Sequence, residues 1–236
     1  MKKTFLVVTA MPEEIEGLFS EVKPIDFGNG SYLYENKDFS VHALLGGIGK
    51  VSMAYRLGKF LAGISADEII NVGVAGTLSP KLKPLETLLA TKCAYHDVDL
   101  TAFGYPVGQM SKEPLYFEAD KEGIKIGETY PGGGIKTGLI LSGDQFITKK
   151  NLPSSFYEDF EDPLACDMES AAVAQVAHEE GVPFLIIRSI SDDTSSQDNK
   201  TDYEKRLKEA CKKAGKIAWY ILRQEVKEEK SKKTVA

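Results

Sequence analysis

The chain has 236 residues, 42% hydrophobic and 27% charged, with a formal net charge of −6. This composition fits a soluble globular protein with a substantial core, and it argues against a sequence-independent nucleic-acid binder, which needs a basic face. The only arginines are Arg56, Arg188, Arg206 and Arg223, too few for a protein that grips several phosphates through forked donors.

Met1-Lys2-Lys3 and the apolar run behind it imitate a signal peptide. The run passes straight into Pro12-Glu13-Glu14 with no small-x-small cleavage site, and it is too short to span a bilayer. Residues 4–10 therefore read as a buried first strand, and no membrane partner is expected. Pro12 opens a helix whose buried stripe is Ile15, Leu18 and Phe19. A second strand, 39–45, ends in Gly46-Gly47-Ile48-Gly49-Lys50, and the helix after it places Val51, Ala54, Leu57, Gly58 and Leu61 on one face. Strands follow at 68–74, ending at Ala75-Gly76, and at 85–95.

Residues 138–142 form another strand, closed by Gly143-Asp144. Asp167 is expected to cap a helix containing Ala171, Ala172, Ala174 and Ala177. A central strand at 183–187 leads into a polar loop, 189–200. From 203 to 226, Tyr203, Leu207, Ala210, Ala214, Ile217, Ile221 and Leu222 recur at helical spacing. Residues 227–236 are mostly charged and expected to fray. No linker or repeat interrupts the chain, so residues 1–226 make one α/β domain: a twisted mixed central sheet with helices on both faces.

Ligands of open α/β sheets collect at the carboxyl ends of strands. Those ends carry Glu13-Glu14, Gly47-Ile48-Gly49, Ala75-Gly76, Ser142-Gly143-Asp144 and Arg188-Ser189-Ile190-Ser191-Asp192, and Asp167-Met168-Glu169 opens the alanine-rich helix. Each has a purely structural alternative. Glu13, Glu14 and Glu169 would complement a helix dipole in any protein. Asp192 could cap a turn. The glycine turn at 46–49 lacks both the dinucleotide and the P-loop spacing. The three cysteines and three histidines are scattered, which suits reduced thiols and gives no metal-ligand spacing. His96-Asp97-Val98-Asp99 reads as polar residues at a strand end.

Taken in order, these strings resemble the 5′-methylthioadenosine/S-adenosylhomocysteine nucleosidases of the nucleoside phosphorylase superfamily. They are Ala10-Met11-Pro12-Glu13-Glu14, Gly47-Ile48-Gly49-Lys50-Val51, Tyr95-His96-Asp97-Val98-Asp99-Leu100-Thr101-Ala102-Phe103-Gly104-Tyr105, Ser142-Gly143-Asp144-Gln145-Phe146-Ile147, Asp167-Met168-Glu169-Ser170-Ala171 and Arg188-Ser189-Ile190-Ser191-Asp192. The resemblance implies a nucleoside phosphorylase-like fold, no cofactor, and hydrolysis of purine thio-nucleosides to adenine and a thioribose. It assigns Asp192 as the acid at purine N7 and Glu14 as the base for the attacking water. Glu169 would accept the ribose hydroxyls, with Met168 against the sugar, Arg188 near Glu14 and the water, and Ser191 positioning Asp192. Phe146 and Ile147 would contact the purine. Ile48 and Tyr203 would line the 5′-alkylthio region, to which a partner's Phe103 adds wall in a cytoplasmic homodimer.

Methionine salvage, disposal of adenosylhomocysteine and supply of a signalling precursor all accord with that chemistry. Val74 stands where the family usually has serine or threonine, and Pro12 breaks its usual run of three glutamates. A phosphorylase would need cationic cover that Lys50 and Arg188 alone supply here. A futalosine-type nucleosidase accords with Val74-Ala75-Gly76 but not with the 95–105 string. A non-catalytic binding protein would have no need of all three carboxylates.

Overall fold

The computed structural model describes residues 2–235. In chain order these form β1 (Lys3–Thr9), α1 (Pro12–Leu18), β2 (Ile25–Asp26), β3 (Ser31–Glu35), β4 (Phe39–Leu45), α2 (Lys50–Leu61), β5 (Glu68–Thr77) and β6 (Thr87–Tyr95). A 3-10 turn at Thr101–Phe103 precedes β7 (Phe117–Glu118), α3 (Lys121–Glu128), β8 (Ile135–Ser142), α4 (Ser155–Asp159), β9 (Pro163–Asp167), α5 (Ser170–Glu180), β10 (Phe184–Asp193) and α6 (Asn199–Val235).

The apolar runs of β4, β1, β5 and β10 lie side by side and parallel, buried almost throughout, as parallel strands covered on both faces must be. The sheet then turns back on itself. β10 pairs antiparallel with β6, β6 runs parallel to β8 and β8 to β9, and β9 returns antiparallel to β5. Because β5 also pairs with β10, five strands close into a ring at one end of an otherwise open mixed sheet. Sequence periodicity carries no information on that closure, since it depends on which strands meet.

Two helix groups cover the sheet: α1 and α3 pack with α6, and α2 packs with α5. The α1–α6 contact is backbone to backbone. A Cβ on Gly17 would stand 2.5 Å from the Cys211 carbonyl carbon, and one on Gly215 would stand 2.5 Å from the Gly17 oxygen. Trp219 Nε1 donates to Leu18 O at 2.7 Å, so the long C-terminal helix fixes where α1, and therefore Glu14, sits.

Several expectations change. Residues 189–193 belong to buried strand β10 rather than to a loop; their polarity reflects a functional strand end. The face of α2 turned to the core is Met53 and Leu57, while Val51 is 79% exposed. Helix α5 starts at Ser170, yet Asp167 still accepts from Ser170 N at 3.2 Å. The tail expected to fray from 227 continues α6 to Val235, anchored by buried Glu225 and Val226 and by the Lys230–Asp38 pair; Ala236 lies outside the described residues. Elements β2, β3, β7, β9, α3 and α4 were not expected from the sequence; all but α3 are five residues or shorter, too brief to carry a period. Among the described residues no helix is long and apolar enough to cross a membrane.

Candidate active site

The carboxyl ends of β1, β5 and β10 open into a cleft of about 730 Å³, open solvent at its mouth included. Glu14, Ile48, Phe146, Ile147, Met168, Glu169, Ser191, Asp192 and Tyr203 all line it, with Met11, Val74, Cys166 and Thr194 among their neighbours. Arg188 and Phe103 do not.

Glu14 is the third residue of α1, and its carboxylate folds back over the start of the helix. Oε2 accepts from Ala10 N at 2.7 Å and Met11 N at 3.0 Å; Oε1 accepts from Val74 N at 3.0 Å. Gly73 makes room for it, since a Cβ there would lie 2.3 Å from Glu14 Oε1. Burial pushes its pKa up, against the charge of Arg188 and the three backbone donors. The hydroxyl that Val74 lacks does not matter to this grip, because the backbone N–H supplies the contact.

Arg188 is 2% exposed and does not line the cleft. Its Nε donates to Asp167 Oδ2 at 2.8 Å, and its other nitrogens donate to Asn71 and to Ile187 O. These bonds tie Arg188 to the scaffold, and its charge reaches Glu14. Asn71, a lone polar residue in an apolar strand, was missed, although that isolation was its signal. Arg188→Met is expected to cost about 3–5 kcal/mol, because the buried Asp167 carboxylate would lose its counter-charge. Chemical denaturation would measure this, and a loss below about 1 kcal/mol would contradict the pairing.

Glu169 accepts from Gly49 N at 2.8 Å, and Gly49 needs its φ of 89° to present that N–H. Burial and the charge of Asp167 push the Glu169 carboxyl up to about 8, with Gly49 and Arg188 opposing. Lys50 binds Asp97 at 2.7 Å, and Asp97 also accepts from Asp144 N at 3.0 Å. Asp144 in turn accepts from Lys50 N at 2.8 Å. The string around His96 thus fixes the glycine turn, and it also pairs Lys50 at the start of α2.

Asp192 is 2% exposed. Its Oδ1 accepts from Ser191 Oγ at 2.8 Å and its Oδ2 from Asn199 Nδ2 at 3.0 Å. Burial raises its pKa; the two hydrogen bonds lower it, and Asp193 and Asp202 add to the rise. Phe146, 44% exposed, meets the Tyr203 ring edge-on at 5.7 Å, and Tyr203 Oη contacts Met11 Sδ at 3.2 Å. The cleft thus combines an aromatic and apolar patch with three buried carboxyl groups. Among the described residues no group of histidines, cysteines or carboxylates could hold a metal ion.

The fold and this site define a class. The profile of the phosphorylase superfamily matches residues 4–223, and the chain belongs to that superfamily. A curated relative from Actinobacillus succinogenes, a 5′-methylthioadenosine/S-adenosylhomocysteine nucleosidase, is 38% identical over 79% of this chain and 84% of its own. A nucleosidase structure from Neisseria meningitidis, in complex with methylthio-immucillin-A, is 34% identical with a TM-score of 0.86, covering 94% of this chain and 99% of its own. A Borrelia burgdorferi structure bound to adenine is 36% identical with a TM-score of 0.85, covering 93% and 99%. Within the superfamily, the chain belongs to the 5′-methylthioadenosine/S-adenosylhomocysteine nucleosidases.

Proposed function

We propose that this chain hydrolyses the N-glycosidic bond of 5′-methylthioadenosine and S-adenosylhomocysteine, releasing adenine and the corresponding thioribose. The observation that carries the reading is the pair of buried carboxyl groups, Glu14 and Asp192, on one cleft, with Glu169 as a third. Bond breaking develops positive charge at C1′ and negative charge on the purine. Asp192 gives its proton to N7 as the C1′–N9 electrons withdraw into the ring. Water adds at C1′ and passes a proton to Glu14, which the three backbone N–H groups hold in place. Acid and base on opposite sides of the sugar follow the logic of an inverting glycosidase. Glu169 accepts the ribose hydroxyls, Phe146 stacks on the base, and Ile48, Met168 and Tyr203 take the apolar sugar and alkylthio surfaces. Ser191 orients Asp192.

Water rather than phosphate is the nucleophile. Arg188 and Lys50 are already paired, and an anion in the cleft would face three carboxyl groups. Methylthioadenosine is therefore expected to give free methylthioribose and adenine at the same rate with and without phosphate; recovery of methylthioribose 1-phosphate would overturn the hydrolase reading.

We also infer a cytoplasmic homodimer. Phe103 is 80% exposed, and Ile48, Val51, Tyr55 and Met110 are exposed as well, more apolar surface than scattered single residues would leave. Phe103→Ala is expected to weaken dimerisation and raise KM for methylthioadenosine while sparing adenosine. Sedimentation run beside both Michaelis constants tests this; a parent chain that is monomeric and fully active would sink the idea.

A further inference from the structure

We infer that Asn199 is a positioning residue that locks Asp192 to the purine-contacting turn at Ile147, so that proton donation is coupled to seating of the base. The inference rests on the proposed function. Asn199 is the first residue of α6, is 3% exposed and does not line the cleft, so it acts only through its neighbours. Its Nδ2 donates to Ile147 O at 2.9 Å and to Asp192 Oδ2 at 3.0 Å. An amide has two N–H donors, and both are spent here. The amide orientation is unambiguous, because the flipped side chain would set its oxygen against a carbonyl and a carboxylate.

Ser191 Oγ holds the other oxygen of Asp192, so the carboxyl plane is fixed from both sides. Both donors favour the ionised form, which is the form left once the proton has gone to N7. A seated purine presses on the 146–147 turn, and Asn199 carries that position to the acid. The groups acting on Asp192 besides these are Asp193 on its own strand, Asp202 and Tyr203 on α6, and Cys166 on β9.

The test uses Asn199→Ser, too short to bridge, and Asn199→Asp, which cannot donate when ionised. In Asn199→Ser the alkaline limb of kcat/KM is expected to move up by about one pH unit, as when one hydrogen bond to a charged acceptor is lost. KM for methylthioadenosine is expected to rise about tenfold, as when a neutral hydrogen bond positioning the substrate site is removed. Asn199→Asp should move the limb further, since it adds a like charge. Folded variants with the parental limb and KM overturn the lock. Should neither variant fold, the Asn199 side-chain amide of the unmodified chain is followed by nitrogen-15 NMR. Two slowly exchanging protons that shift with the titration of Asp192 support the lock; a freely exchanging, pH-insensitive amide overturns it. An unmodified chain that releases no adenine overturns the proposed function instead, and the amide titration still decides the case of Asn199.

Discussion

Asp192→Asn is expected to keep the fold and substrate binding while turnover falls by roughly 10²–10⁴-fold, the usual cost of one positioned acid. The asparagine oxygen can occupy the Oδ2 place and still accept from Asn199. Its amide nitrogen then faces Ser191, whose hydroxyl can rotate to accept, so no buried group loses its partner. What the variant lacks is a proton to give. The sign of the pH dependence follows: Asp192 works protonated, so the rate falls as pH climbs through its raised pKa. The alkaline limb should therefore vanish in the variant. Steady-state kinetics across pH, with a thermal melt, measure both effects. Turnover within a few-fold of the parent would remove Asp192 from the chemistry.

Glu14→Gln is expected to lose turnover on the same scale, roughly 10²–10⁴-fold, because the water has no base. Here the fold suffers too. Three backbone N–H groups converge on the Glu14 carboxylate, and a glutamine has only one acceptor oxygen. If that oxygen serves Ala10 and Met11, the amide nitrogen confronts Val74 N. An orphaned buried donor costs about 1–3 kcal/mol. Glu14 works ionised, so in the parent the rate rises as pH climbs through a pKa that burial holds above the ordinary carboxylate range. The variant should show no such acid limb. Denaturant unfolding beside the pH–rate profile separates the two losses, and an acid limb that persists in Glu14→Gln would assign it to another group.

Much of this protein was legible in its sequence. The buried strands at 4–10, 39–45 and 68–74 are continuous apolar runs, and the glycine turns and carboxylates at their ends follow from that position alone. Glu14, Glu169 and Asp192 stand among several charged residues at such ends, and it was the ordered resemblance to the nucleosidases that singled them out. The closure of β5 onto β10, the Gly17–Gly215 crossing and the pairing of Arg188 with Asp167 and Asn71 were decided only in three dimensions. Each depends on which residues meet across the fold: whether Arg188 faces solvent or Asp167 is set by a partner 21 residues away. Asn199 makes the same point, since its two hydrogen bonds run 52 and 7 residues back along the chain. Local periodicity records which face of an element is apolar; it does not record what that face will touch.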